Sequence, residues 1–274
     1  MTAGFVVGGV GGSGTRAIVE LFTSLMPMSQ LKDQNAARDS LGATLLFKRP
    51  SIFDEDIDLG FSECWNMLRS RLEGGGGLGR RDVRRLARLA MEKRIHHKRS
   101  WLFRRAVRFY LAESRDPTPE IPWLVKEPNL QIFTGSILQG NSDVRMAIVM
   151  RNGLDMAFSG NRQQASIWGD VDGEATPSNL LEHWCRSHER LLALKDAYPD
   201  RMMFILIERL HDYPEEMSIP LGRFLGVEDT KAVERGIRNT IKNPSSRYRH
   251  LGADLTALDV DLIEKFRQID SRIT

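Results

Sequence analysis

The sequence predicts an α/β protein, in which a parallel sheet is flanked by helices and a helical basic segment is inserted. Short apolar runs alternate with longer stretches of helical periodicity, the pattern of a parallel sheet covered by helices. The chain has 274 residues, of which 41% are hydrophobic and 27% charged, as in a globular protein with a sizeable core. We expect a single domain over residues 1–274, with residues 54–116 as a helical cap within it.

The first strand is predicted at residues 4–10, GFVVGGV, a β-branched apolar run that ends in glycine. A turn of small and polar residues follows: Gly11, Gly12, Ser13, Gly14, Thr15 and Arg16. The next residues, AIVELFTSL, place their apolar side chains at helical spacing. A strand, a glycine turn and a helix in this order bring backbone N–H groups and a helix N-terminus to one point. We therefore expect an anion over residues 11–15.

The remaining elements follow from the same periodicities. Continuous apolar runs predict three further strands, at residues 121–125, 144–150 and 202–207. Helical spacing predicts helices at residues 154–167, 178–198, 214–225, 230–241 and 256–269. The pattern is also helical between residues 61 and 111, where four consecutive glycines at 74–77 interrupt it.

The glycine turn fits two phosphate-binding patterns. Gly9, Gly11 and Gly14 satisfy the G-x-G-x-x-G of dinucleotide sites, and the first and last also frame the G-x-x-x-x-G of a P-loop. A dinucleotide site needs an acidic residue after the second strand, but no apolar strand leads into Asp33. A triphosphatase needs Lys-Ser/Thr directly after the last glycine, where this chain has Thr15-Arg16. A tight turn without a ligand is the third interpretation.

A second candidate phosphate site follows the strand at residues 144–150. The chain continues with Arg151 and, eight residues later, Ser159. Ligands of open α/β sheets bind at the carboxyl ends of strands, and arginine with a hydroxyl suits phosphate. We expect both side chains on one side of the first turns of the following helix. Asp155 is expected to cap that helix or to orient Arg151.

Together, the segments 8–16 (GGVGGSGTR) and 151–159 (RNGLDMAFS) resemble the two signature motifs of sulfotransferases that use 3′-phosphoadenosine 5′-phosphosulfate (PAPS). Residues 184–227 are similar to the family's long helix, strand, acidic turn and helix. The position of Lys126, at the end of the second predicted strand, also fits the family's pattern. The resemblance covers most of the chain apart from roughly residues 54–116. It implies a P-loop fold like that of nucleotide kinases, and metal-free sulfuryl transfer from PAPS to a hydroxyl or amine.

The resemblance also implies roles for particular residues. The 5′-phosphate would lie on the glycine turn, at Gly11, Gly12, Ser13, Gly14, Thr15 and Arg16. The 3′-phosphate would be held by Arg151 and Ser159, with Arg247 or Arg249 from a late basic loop. Many members carry a lysine where this chain has Gly12, and that lysine helps to neutralise the leaving phosphate. Either Arg16 or Lys126 would have to supply this charge.

The acceptor must lose a proton, so a general base is expected. Glu127, directly after the lysine that ends the second strand, stands where some members have histidine. Asp39 lies in the segment after the first helix, which carries the base in other members. Asp33 and His211 are weaker alternatives. For each carboxylate, a solvated surface role is the competing interpretation.

Charge is unevenly distributed, although the net charge is only +3. Residues 80–108 hold twelve Lys and Arg against Asp82 and Glu92. These basic helices either face an anionic partner, such as an acidic glycan, a lipid headgroup or a nucleic acid, or form a solvated surface.

Two other functions stay open: a nucleoside or small-molecule kinase, and a non-catalytic module that binds nucleotides or polyanions. For the transferase, the acceptor would be a carbohydrate or another small metabolite.

Cys64 and Cys185 form neither a disulfide framework nor a zinc motif. No secretory signal and no apolar run of the ~20 residues that span a bilayer is visible, so we expect a cytoplasmic location without a transmembrane segment.

Overall fold

The computed structural model describes residues 3–53, 57–75, 77–94, 96–112, 120–160, 163–168, 176–243 and 247–273, without the side chains of residues 57–59 and 163–164. The strands in this part are β1 (Gly4–Gly9), β2 (Trp123–Lys126), β3 (Val144–Met150) and β4 (Met202–Leu206). The first seven helices are α1 (Thr15–Leu25), α2 (Leu41–Phe47), α3 (Ile57–Leu72), α4 (Arg80–Met91), α5 (Arg99–Tyr110), α6 (Thr134–Gly140) and α7 (Gly153–Ala157). The later helices are α8 (Gln163–Ile167), α9 (Pro177–Ala197), α10 (Ile207–Asp212), α11 (Pro214–Leu225), α12 (Thr230–Thr240) and α13 (Val260–Ile273). Short 3-10 turns occupy Pro50–Phe53, Pro128–Phe133, Arg249–Gly252 and Leu255–Ala257.

The four strands form one parallel sheet in the order β2-β1-β3-β4. Val7 lies opposite Lys126, and Gly9 lies opposite Val149, so the carboxyl ends of neighbouring strands meet at one edge. This confirms the predicted α/β class, and each predicted strand is present with its ends shifted by at most two residues. The tips of β1 and β3, which carry the two candidate phosphate motifs, are therefore neighbours.

Side chains alternate between the two faces of the sheet, as the period of a strand requires. Val6, Met146 and Ile148 face the larger core, which is built with α2–α7, α9 and α13. Phe5 and Val7 face the second core, built with α1 and α10–α12. Each face is thus covered by apolar helix surfaces, which explains why the strands are continuous apolar runs.

The helical basic segment contains α3, α4 and α5, whose buried residues join the larger core. The predicted break at the glycine run lies between α3 and α4, with residue 76 outside the described residues. Cys64 and Cys185 are both buried and free. Among the helices of the described ranges, none has both the length and the apolar character needed to cross a bilayer.

The single helix predicted at residues 154–167 is wrong, because the structure has two short helices there, α7 and α8. The chain leaves α7 at Phe158, and the backbone N–H of Ser159 donates to Met156 O at 3.0 Å in a tighter turn. Ser159 and Gly160 are poor helix formers, which favours this exit. Ser159 therefore lies beyond the last residue of α7, not on the first turns of a long helix as expected.

Candidate active site

A cleft of about 570 Å³ opens at the edge where β1 and β2 end. Its walls come from residues within three segments, 11–17, 35–48 and 126–129. Four candidate catalytic residues, far apart in sequence, line this cleft: Arg16, Asp39, Lys126 and Glu127. The parallel topology accounts for this, because it brings the residues that follow neighbouring strands to the same edge.

The glycine turn has a backbone that side chains would disturb. Gly12 and Gly14 have φ values of 90° and 96°, in the left-handed region that favours glycine. A Cβ atom on Gly14 would lie 2.9 Å from Ile207 Cγ1. The Ser13 N–H donates to Val10 O at 3.1 Å and closes the turn directly before α1. The first N–H groups of a helix have no intrahelical acceptor, so the turn offers donors to an anion.

Arg151 joins the tip of β3 to the glycine turn, because its Nη1 donates to Gly12 O at 3.3 Å. Its Nε lies 3.5 Å from Glu208 Oε1, and its backbone carbonyl accepts from Trp184 Nε1 at 3.2 Å. Arg151 Nη2 and Ser13 Oγ are buried and have no hydrogen-bond partner among the described residues. Both atoms are donors, so they can bind the acceptor atoms of a ligand at this place.

The late loop that carries Arg247 and Arg249 is anchored on Asp155. Its carboxylate accepts the Tyr248 N–H at 3.0 Å and the His250 N–H at 3.1 Å, and lies 2.7 Å from His250 Nδ1. The expectation that Asp155 caps α7 is wrong: the cap is the Asn152 side chain, which accepts from the N–H groups of residues 154 and 155. No contact between Asp155 and Arg151 is described, so Asp155 is a positioning residue of the loop.

Arg247 is engaged by a carboxylate in this structure. Its Nη1 donates to Asp212 Oδ1 at 2.8 Å, and its Nη2 binds the other oxygen. Together with the His211 ring, it lowers the pKa of Asp212 to about 2. Ser159, His211 and Arg249 all lie outside the residues that line the cleft. Arg249 is exposed and Ser159 is half-buried.

Lys126 and Asp39 form an ion pair on the cleft wall. Lys126 Nζ also donates to Ala37 O at 2.9 Å, and its side chain is only 4% exposed, against 20% for Asp39. Asn35 Nδ2 donates to the Asp39 carboxylate at 2.7 Å. The preceding Arg38 has a φ of 65°, a strained backbone that the surrounding contacts must hold. The loop thus presents a carboxylate to the cleft at a fixed place.

Glu127 is buried below the same wall. Thr44 Oγ1 donates to one carboxylate oxygen at 2.5 Å, and the Asn129 N–H donates to the other at 3.2 Å. Burial raises the pKa of Glu127, and the nearby charge of Asp39 raises it further. Glu127 therefore ties α2 to the turn after β2 while keeping a carboxyl group that is easier to protonate than usual.

Arg16 is the exposed cation of the cleft. Its side chain is 62% exposed and lies 3.8 Å from Glu20, one turn further along α1.

Lys48, which the sequence analysis missed, lines the same cleft and also a neighbouring cavity of about 200 Å³ with Arg49 and Arg94. Its only sequence signal is a basic residue directly after the apolar run that ends α2.

Asp33 does not line the cleft, although it was a weaker candidate for the base. Its carboxylate accepts from Arg105 Nη1 at 2.6 Å and lies 3.5 Å from Arg108 Nη1. These contacts attach α5 to the segment that precedes the cleft wall.

Across the described residues, no group of three or more His, Cys, Asp or Glu side chains is arranged to hold a metal ion.

Fold and site together define an α/β protein with a glycine-rich turn between β1 and α1 and an arginine from β3 against that turn. No protein-family model matches the chain, and no curated protein sequence matches it significantly. Among solved structures, the chain is similar to sulfotransferases. For STF9 from Mycobacterium avium the identity is 14% and the TM-score 0.44, over 98% of this chain and 76% of that one.

Two further sulfotransferase structures give comparable values. The sulfotransferase domain of the Synechococcus PCC 7002 olefin synthase has 12% identity and a TM-score of 0.47, over 98% of this chain and 94% of the domain. STF1 from Mycobacterium tuberculosis H37Rv has 12% identity and a TM-score of 0.45, over 98% of this chain and 77% of that one. At this level of identity and structural similarity, these structures assign no activity to the chain.

Proposed function

We propose that the protein is a PAPS-dependent sulfotransferase that transfers a sulfuryl group to a hydroxyl or amine of a small molecule or glycan. The observation that carries this proposal is the contact between Arg151 and Gly12. This contact supports the proposal because an arginine at the tip of β3 lies against the glycine turn at the tip of β1, and a nucleotide with anionic groups at both 3′ and 5′ positions requires donors at both places.

The residues present fit such a nucleotide. Ser13 Oγ and Arg151 Nη2 are buried donors without a partner among the described residues. The glycine turn would hold the 5′ end, while Arg151 and Ser159 would hold the 3′-phosphate, completed by Arg247 or Arg249. When bound, PAPS supplies an activated sulfuryl group, whose sulfur bonds to the acceptor oxygen or nitrogen as its bond to the 5′-phosphate breaks.

We assign the stabilisation of the leaving phosphate to Arg16 and the first N–H groups of α1. Lys126 is nearly buried and paired with Asp39 on the cleft wall, whereas Arg16 is 62% exposed at the start of α1, the helix that follows the glycine turn. A cation at this point stabilises the negative charge that develops on the bridging oxygen. Arg16 would then replace the lysine that other members carry at the position of Gly12.

We assign the general base to Asp39. Its carboxylate lines the cleft and is one-fifth exposed, and Lys126 and Asn35 fix its orientation. Glu127 also lines the cleft, but both of its oxygens accept hydrogen bonds from Thr44 and Asn129. Asp39 would take the acceptor's proton as the acceptor attacks, and Glu127 would position the wall behind it.

Titration calorimetry with adenosine 3′,5′-bisphosphate, AMP, ATP with Mg²⁺, and NAD tests the nucleotide. We expect the bisphosphate to bind most tightly. Preference for ATP would favour a small-molecule kinase instead, and binding of none of the four would favour a non-catalytic polyanion-binding module. Mass spectrometry of a carbohydrate and metabolite mixture incubated with PAPS then identifies the acceptor by its added sulfuryl mass.

A further inference from the structure

Helices α4 and α5 form a hairpin with an apolar groove of about 370 Å³ on its outer side. Its most exposed members are Met91 (64%), Phe103 (63%) and Leu111 (68%). Monomeric proteins rarely expose a contiguous set of large apolar side chains, and such a set usually marks a binding surface.

The core of the protein does not require this exposed stripe. Val83, Ala87 and Met91 recur at four-residue intervals on α4, and Phe103 and Val107 do so on α5. The helices are anchored by other residues, namely Leu89, Leu102 and Phe109, which are at most 1% exposed. The outer stripe therefore adds apolar surface to each helix beyond what packing against the body uses.

Rows of arginine border the stripe. Arg84, Arg88, Arg104 and Arg108 each come one residue after an apolar member of the groove, so helical geometry puts them about 100° further around their helices. The exposed members are Arg80, Arg84 and Arg88 on α4, and Arg104 and Arg108 on α5. Arg84, Arg88 and Arg104 have no carboxylate partner among the described residues.

Other basic residues of the segment have a structural role instead. Arg105 donates to Asp33 at 2.6 Å, Arg94 donates to Leu45 O of α2 at 2.8 Å, and the buried Arg85 lies 3.7 Å from Glu63 of α3. The charge of residues 80–108 is thus divided between cations that attach the hairpin to the body and cations that surround the groove.

We propose that this hairpin surface binds a membrane that contains anionic lipid. The apolar side chains would enter the boundary between headgroups and acyl chains, and the arginines would contact the lipid phosphates. Charge disfavours a second copy of the chain as the occupant, because a two-fold interface would set the arginine rows against each other. An acidic amphipathic helix of another protein would match the charge, so the experiment includes it.

Co-sedimentation of the full chain with vesicles tests this proposal, which does not depend on the proposed enzymatic function. We expect binding to vesicles of phosphatidylcholine with phosphatidylglycerol, weaker binding as salt is added, and none to phosphatidylcholine alone. Replacing Arg84, Arg88 and Arg104 with alanine should lower the partition coefficient about 100-fold, at about five-fold per arginine. The matched control replaces Arg223, Arg235 and Arg267, which are exposed elsewhere, and should bind like the unmodified chain.

The double variant M91S/F103S tests the apolar contribution without removing charge. Because both side chains are exposed, its far-UV circular dichroism and melting temperature should match the unmodified chain while vesicle binding falls. Equal binding to both vesicle types, equal losses in the two arginine variants, or no binding would overturn the proposal. So would tight binding of an acidic amphipathic peptide without vesicle binding, or a dimer in light scattering that M91S/F103S abolishes.

Discussion

Replacing Arg151 with methionine separates the two phosphate sites of the proposed nucleotide. The change keeps the aliphatic stem and removes the guanidinium, whose Nη2 is buried without a partner among the described residues. A charge-assisted hydrogen bond contributes about 1.5–3 kcal/mol, so losing two of them corresponds to a roughly 100-fold or greater loss of affinity for adenosine 3′,5′-bisphosphate. AMP lacks the 3′-phosphate, and its affinity should change by less than about threefold. Titration calorimetry with both nucleotides measures the difference.

Glu208 provides the control for this variant. It is 15% exposed and is paired with Arg151, so R151M leaves a largely buried carboxylate without that partner and should lower the free energy of unfolding by about 1–3 kcal/mol. The double variant R151M/E208Q should recover this stability in urea denaturation without recovering bisphosphate affinity. Equal losses for AMP and bisphosphate, or restored bisphosphate binding in the double variant, would refute the assignment of Arg151.

Three further predictions concern catalysis, the glycine turn and pH. D39N should lower the transfer rate at least about 100-fold with unchanged bisphosphate affinity, whereas E127Q should retain measurable turnover. A product assay by mass spectrometry measures both rates, and the reverse order would make Glu127 the base. G14A should lower the free energy of unfolding by about 1–3 kcal/mol and abolish nucleotide binding, because Gly14 has a φ of 96° and an added Cβ would be crowded. The control G140A should do neither, because there is open space around Gly140. Burial lowers the pKa of His188 to about 3. As pH falls, the unfolded chain therefore binds a proton at this histidine before the folded chain does. The free energy of unfolding, measured by urea denaturation, should decrease below about pH 6.5 and be about 3 kcal/mol lower at about pH 4. H188Q should reduce this dependence of stability on pH.

The strands and the glycine turn were predictable because their signals are local. A strand buried on both faces needs a continuous apolar run, and VRMAIVM therefore gives β3 with the predicted bounds. The helix predicted at residues 154–167 failed for a related reason. Its apolar spacing continues past Ser159 and Gly160, where the chain leaves α7, and the five-residue helix α8 beyond them is a separate element.

The partners of the site's charged residues were not predictable in the same way. Asp155 is close to Arg151 in sequence, yet its hydrogen bonds go to Tyr248 and His250. Lys126 was identified as a cation at a strand end, but its pairing with Asp39 depends on how a loop after the first helix folds back. Both contacts join segments that the sequence separates by more than 80 residues.

The sequence by itself determined the parallel α/β architecture, the glycine turn at the first strand tip and the basic character of the inserted helices. These properties depend on apolar periodicity, backbone freedom and composition, which neighbouring residues encode. Only the tertiary structure decided that Arg151 reaches Gly12, that Asp39 is held by Lys126, and which arginines of the hairpin pair with carboxylates. Those outcomes depend on distances between charges across the fold, and the packing of the helices on the sheet fixes these distances.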